Sequence, residues 1–403
     1  MAKTSVLDSV NITFPNIFTE TYDKEKAQAF LAPIHKRNEN AEIGVCEYTH
    51  GITAVANAYA GAAYSPTQNR VYFIPRTQSD EANWHYIDCN TGEVVAYTHG
   101  ATVGTYAYTG GIYIEHQDRI YLMPDNQSDD ANWHYINCKT NAVVAYAHGV
   151  GGLGVPAYGP GGYSPTEERI YLGPSDEATE ATWHYIDVSS TGNIVTGYAH
   201  GSSGAVQYAY GNGVYSPTQN RIYFTPYAQS DESTWHYVNC STGTIVGYSH
   251  GASSLSANGY TSGVYSPMQD RIYLVPNGQA TNSTWHYIDC SDGSVNGYTH
   301  GATVSGSYAG GAYSPITNRI YLIPLIQATE DVWHYIDCND GSVVEYEHGC
   351  TVASNYSSGC YSPKQNRVYL SPRGQGNQTV WHYIQEYVDE KLPLNAYYRF
   401  GQY

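Results

Sequence analysis

The chain has 403 residues, carries a formal net charge of −18, and is only 13% charged. That balance excludes nucleic acid as a partner, because nucleic-acid binding needs a basic footprint, and it disfavours anionic lipid surfaces. No apolar run reaches transmembrane length, so no membrane insertion is expected.

Residues 1–42 lie outside any repeat. The start, Met1 to Asp8, lacks the apolar stretch of a signal peptide, which predicts intracellular synthesis without export by the standard route. Tyr22 to Phe30 predicts a short helix, with Pro33 stopping it. Phe14, Phe18, Phe30 and Phe400 are four of only six Phe, so apolar anchors concentrate outside the repeats. The terminal segments are therefore read as docking arms, against the ring or against a partner.

Next comes a strand signature, Gly44 to Tyr48 followed by His50-Gly51, which later closes each repeat, as at Tyr97 and His99-Gly100. The first full unit opens with Tyr64-Ser65-Pro66 and runs from Arg70 to Pro75. It continues with Trp84-His85-Tyr86 and ends at His99-Gly100. Trp84, Trp133, Trp183, Trp235, Trp285, Trp333 and Trp381 are each followed by His-Tyr, at intervals of 49, 50, 52, 50, 48 and 48 residues. A fixed period in this range marks a stacked or ringed repeat. A Pro precedes every one of these Trp by nine residues, so the unit tolerates almost no insertion there.

Each unit offers four extended runs, for example Asn212 to Tyr215, Arg221 to Thr225, Trp235 to Val238 and Thr244 to Tyr248. They are rich in Tyr, Val, Ile and Trp, and Gly, Pro, Asn and Asp bound them. Hairpin-length joints connect the first to the second run and the third to the fourth. Four antiparallel strands in about 50 residues describe a β-propeller blade. The predicted fold is thus an all-β, seven-bladed β-propeller over residues 43–384, with a C-terminal tail at 385–403. The last blade lacks a fourth strand. Ile43 to Tyr48 is expected to supply it by pairing with Trp381 to Ile384, which removes two open sheet edges.

The register Ser-Pro, Asn-Arg-Ile-Tyr, Ile-Asp, Thr-Gly, Val-Val, Gly resembles the YVTN-type propeller repeat. The split last blade, with a third-strand Trp and a fourth-strand His, resembles WD-type repeats. The resemblance covers roughly residues 43 to 384. It implies architecture, while function must come from a site.

The repeated polar residues are read as structural. His85, His134, His184, His236, His286, His334 and His382 follow Trp; His50, His99, His148, His200, His250, His300 and His348 precede Gly. Equivalent copies lie on a circle and do not converge on one ion, so no metal or cofactor is expected. The His after Trp should be a hydrogen-bonded packing residue, and the His before Gly should tie the link between blades. Arg70, Arg119, Arg169, Arg221, Arg271, Arg319 and Arg367 suit fixed pairing, with Asp88, Asp187, Asp289 and Asp337 as candidate partners. Cys89, Cys138, Cys240, Cys290 and Cys338 share one position, which Val188 and Glu386 take in the other two blades. They are expected to be reduced, because equivalent blade positions are too far apart to bridge and no Cys-x-x-Cys pair exists. Cys46 and Cys360 are read as small buried residues, and a local Cys350–Cys360 disulfide stays open.

What differs between blades is the better guide to function. The loops between second and third strands and the links between blades should share one face, and that face should be acidic. Its candidate binding residues are Asp80, Glu81, Asp129, Asp130, Asp176, Glu177, Asp231, Glu232, Glu330 and Asp331. Glu115-His116, which replaces Ser-Pro in the second blade, lies at a turn and is not read as catalytic. No nucleophile–base set stands out, so no enzyme activity is expected. The expected role is a structural or interaction module in a large assembly, such as a virus particle, where it would be associated with capsid, tail or fibre. Its partners would then be protein subunits. The alternative is a multivalent lectin binding glycans; a propeller lyase or lactonase has least support.

Overall fold

The computed structural model describes residues 24–38, 41–189, 193–201 and 203–388. They form seven four-stranded antiparallel sheets, the first built from Tyr59–Ser65, Arg70–Pro75, Asn83–Asp88 and Glu93–Thr98. The first strand of each sheet adjoins the first strands of its two neighbours, and the contacts run round in a closed cycle. The protein is a seven-bladed β-propeller with these first strands around the axis.

Closure follows the expected route. Glu42–Thr49 pairs antiparallel with Val380–Tyr387, with Tyr48 opposite Trp381 and Val45 opposite Ile384. The last strand runs on to Tyr387, which brings Gln385 and Glu386 into the sheet.

The repeat is held by Trp, His and Tyr contacts made in all seven blades, and by a Trp Nε1 hydrogen bond that six of them make and Trp183 does not. Each Trp is fully buried. Each stacks on the His before Gly in its own blade, with ring centroids 4.0–4.5 Å apart. In blade one the Trp84 Nε1 donates to Ser79 O, and the ring meets Tyr108 of the next blade edge-on at 6.0 Å. For Trp381 the stacking His is His50, at 4.0 Å, so the N-terminal strand supplies the missing half of the last stack. The His after Trp is also buried, and its Nδ1 hydrogen-bonds to the first-strand Tyr hydroxyl, as in Tyr59–His85 at 2.6 Å.

The arginines settle differently from the sequence expectation. Each lies over the third-strand Tyr ring at 4.2–4.7 Å, from Arg70 over Tyr86 to Arg367 over Tyr383. Their Nη1 atoms reach toward the hairpin of the next blade: Arg70 donates to Asn141 Oδ1 at 2.9 Å. At Gly293, with φ +85°, a Cβ would come within 2.8 Å of Tyr223 Oη and 3.3 Å of Arg221 Nη1, so this turn needs Gly for both space and conformation. Asp88, Asp187, Asp289 and Asp337 instead accept the backbone N–H two residues on, at 2.8–3.0 Å. A short carboxylate reaches its own turn more easily than a guanidinium already stacked on an aromatic face.

All eight cysteines are free thiols. Cys46 is half-buried rather than buried. The five repeated ones face a Ser of the preceding blade, as Cys138 faces Ser65, and burial pushes the Cys138 thiol up to about 12. The two exceptions are informative. Val188 joins Ile114 in one apolar cluster. Ile114 faces Arg119 as Ser65 faces Arg70, so Ile114-Glu115, and not Glu115-His116, takes the place of Ser-Pro in blade two. Glu386 accepts from Ser314, Thr317 and Tyr321 of blade six at 2.7, 2.5 and 2.9 Å. Both partners of the contact have changed together in the first case. In the second, three hydroxyls replace one.

The helix spans Lys24–Asn38 and does not stop at Pro33. Anchors on either side hold it against the turns between first and second strands. Lys24 pairs with Asp270 at 3.1 Å, Leu31 is fully buried, and His35 Nε2 bonds Pro315 O at 2.8 Å. Tertiary contacts here outweigh the local cost of Pro. Phe30 lies in this helix, while Phe14, Phe18 and Phe400 fall outside the described residues. This helical part of the N-terminal arm is thus engaged by the ring itself. Among the described residues, no helix is long and apolar enough to cross a membrane.

Candidate binding face

The loops between second and third strands fold on a fixed base. Gln78 is buried, accepts Val55 N at 3.0 Å and donates to Asn83 O at 3.0 Å. Gln229 and Gln279 repeat this brace in blades four and five. Ser79 Oγ then donates to Gly104 O of the next link at 2.6 Å, so loops and links do share one face. The loops looked variable in sequence because the Gln sits amid changing neighbours.

Glu177 occupies the Gln position of blade three. It is buried, accepts Gly154 N at 2.7 Å, and burial raises its carboxyl above the usual range. It is a brace and leaves the proposed binding set. Asp176 is half-buried and hydrogen-bonds Gln207. Asp80, Glu81, Asp129, Asp130, Asp231, Glu232, Glu330 and Asp331 are exposed on this face. They stand in separate blades and form a rim, with Asp80 accepting from Thr105 at 2.8 Å.

Inside the rim lies a ring of half-buried residues that immediately follow the second-strand Pro: Arg76, Asp125, Ser175, Tyr227, Asn277, Leu325 and Arg373. Here the sevenfold pattern breaks. Arg76 lies over the Tyr106 ring at 4.6 Å. Burial, offset by Arg76, holds the Asp125 carboxyl up at about 6. Arg373 is lowered by burial and then by Arg76, so two like charges are held near each other.

The links add aromatic side chains that the sequence reading did not single out. Tyr106 and Tyr208 are 37% and 43% exposed and sit at φ 59° and 58°. Their carbonyls receive N–H groups from the next loop, as do those of Asn57 and Asn258 in other blades. Asn tolerates this left-handed conformation well and a bulky Tyr does not. The signal was present in sequence as Tyr106-Ala107-Tyr108 and Tyr208-Ala209-Tyr210, against Asn57-Ala58-Tyr59. Val155 and Ile326, 46% and 64% exposed, lie on the same face.

The opposite end of the axis holds a cavity of about 430 Å³ walled by first strands of all seven blades. Its lining is mostly Gly, Ala, Val and Tyr, with Glu115 at the turn end. His116 is tied to Val188 O at 2.7 Å and is not aimed into it. At the ring seam, Glu47, Cys350 and His382 come together from distant parts of the chain. Cysteine spacing gave no hint of this grouping.

No protein-family profile and no curated protein matches the sequence. Solved structures match the fold. A chain of the Kuenenia stuttgartiensis hydrazine synthase superposes with TM-score 0.58 at 13% identity, over 83% of this chain and 98% of that one. The extracellular domain of a putative one component system from B. thetaiotaomicron gives TM-score 0.56 at 11% identity, over 85% of this chain and 40% of that one. A chain of a mitotic checkpoint complex gives 0.54 at 10% identity, over 85% and 91%. At these identities the likeness concerns the fold alone.

Proposed function

We propose that this protein is a non-enzymatic interaction module that presents its loop face to a protein partner within a larger assembly, of which a virus particle is the finer reading. The observation that carries this is Tyr106 and Tyr208. Each is an exposed aromatic held at positive φ, where other blades manage with Asn. Strain kept at exposed positions marks a contact surface better than it marks a fold requirement. Tyr is also a common anchor of interfaces, and Arg76, Asp125 and Arg373 add directional polar contacts. A flat face of loops can reach standard interface size.

Against catalysis stands the use of the repeated His, Arg and Trp in packing, since general acid–base chemistry needs a group free to reach substrate. The lectin reading is favoured by the same exposed tyrosines beside carboxylates and amides, and repeated weak sites would gain by avidity.

Crosslinking mass spectrometry on the native assembly, run beside a glycan array, tests the reading. Crosslinks from residues 76–82, 100–106 and 203–208 to a partner protein support it. Glycan binding lost in Tyr106→Ala and Tyr208→Ala would favour the lectin instead. Partner contacts confined to the opposite face would contradict both.

A further inference from the structure

We propose that Glu47, Cys350 and His382 bind a single thiophilic divalent cation of the zinc class at the seam where the ring closes. Their ligand atoms lie within 4.8 Å of one another. Imidazole nitrogen, thiolate and carboxylate are the donor set such an ion takes, with bonds of ~2.0–2.3 Å and a fourth position left for water. His382 is fixed in the core, whereas Glu47 is exposed and Cys350 half-buried, so the two outer side chains can turn onto an ion held by the imidazole.

A second observation points the same way. His382 Nε2 is fully buried and has no hydrogen-bond partner among the described residues. It faces Glu47 Oε1 at 3.7 Å. The same atom also lacks a hydrogen-bond partner in His236 and His334, whereas in blade five His286 Nε2 reaches a link carbonyl, Ser253 O, at 3.2 Å; what sets His382 apart is the carboxylate and the thiol together beside it. His382 Nδ1 meanwhile bonds the Tyr356 hydroxyl, the outer-shell contact that orients a metal-bound imidazole. The Tyr oxygen would accept from Nδ1–H, leaving the Nε2 lone pair for the ion.

The arrangement is particular to this seam. Across the strand pair, the residue opposite the buried His is Ala96, Ala145, Gly197, Gly247 or Gly297 in blades one to five. Blade six places Glu345 opposite His334, but the link above it carries Ala302 where the last link carries Cys350. Blade six is therefore an internal control, with carboxylate and imidazole but no thiol. Cys350 Sγ also approaches Val45 O of the closing strand at 3.2 Å. Burial, then Glu47 and Cys46, push its thiol up to about 11, so an ion must displace a proton to bind there. The bound ion would tie closing strand, last link and last blade together.

The test uses the full chain, freed of metal by a chelator and titrated with Co²⁺. One equivalent should bind with a thiolate-to-metal charge-transfer band that Zn²⁺ abolishes by displacement. Cys350→Ala should remove the band, Glu47→Ala should weaken binding at least tenfold, and Glu345→Ala should change neither. Zn²⁺ should raise the melting temperature of the wild type and not of Cys350→Ala. Both decisive variants lie at the seam surface, so neither depends on altering the core His382. Absence of a charge-transfer band in the wild type would overturn the proposal. So would a band that survives Cys350→Ala, or one lost in Cys46→Ala and kept in Cys350→Ala.

Discussion

Blade five and blade seven carry the same stack of Tyr, His, Trp and His, yet they are assembled in different ways. Blade five is one continuous stretch, Tyr260 to Thr299. Blade seven joins the two ends of the repeat, and its His50 bonds Gln378 across 328 positions of chain. Trp285 meets His300 at 4.0 Å in the first, and Trp381 meets His50 at 4.0 Å in the second. The packing is indifferent to connectivity. What the split blade gains is three unlike side chains at one point, whereas a continuous blade repeats its neighbours. Residues copied round the ring build it; unlike residues gather where the repeat is interrupted or where loops stand free.

Cutting the split blade should produce the largest effect. Removing residues 1–51 deletes the outermost strand of the last blade, Glu42–Thr49, and leaves the edge of Val380–Tyr387 unpaired; closure thus covers one edge and not the two expected from the sequence. The cooperative melt should be lost, as read by calorimetry; a truncated chain that melts like the full one would end the closure account. Next come Trp381→Ala and Trp235→Ala, each expected to cost ~3–5 kcal/mol in denaturant unfolding, the usual range for a buried large aromatic. Near-equal losses would mean that the blades are energetically alike despite their connectivity. A small effect at Trp381 alone would mean that the N-terminal strand is loosely held.

Tyr106→Asn and Tyr208→Asn should each stabilise the protein by ~1 kcal/mol, through relief of the left-handed backbone. Partner binding should fall in the same variants, the exchange expected of a contact residue. The smallest effect concerns Glu386. Burial raises its folded pKa against the opposing hydroxyl bonds. Its stabilising contribution is therefore present at low pH and declines as pH rises from the ordinary Glu value, ~4.3, through the raised folded value. Glu386→Gln should flatten that decline in melts run across this window.

Much of the ring was legible from the chain, because a Trp repeated at near-constant spacing reports the blade and the missing last strand reports closure. The helix past Pro33 was not, since its anchors Asp270 and Pro315 come from turns more than two hundred residues away. Arg70 and its equivalents stack on the third-strand Tyr, and in blade seven Arg367 Nε also donates to Gln385 Oε1 at 2.6 Å. Asp88 is their cross-strand neighbour, but the aromatic face of Tyr86 and the hairpin of the next blade are set by tertiary packing. Glu177 looked like one more rim carboxylate until the repeated Gln brace became visible. Tyr106 and Tyr208 were hidden among 43 Tyr, and exposure together with positive φ sets them apart.

We propose that unlike residues on the loop face make the functional contact while the repeated residues hold the ring. Hydrogen exchange of the protein, free and in its native assembly, tests this most directly. Protection on assembly should fall on residues 76–82, 100–106 and 203–208, with the blade strands unchanged. Protection confined to the helix Lys24–Asn38 and the turns beneath it, with the loop face exchanging as in the free protein, would contradict the account.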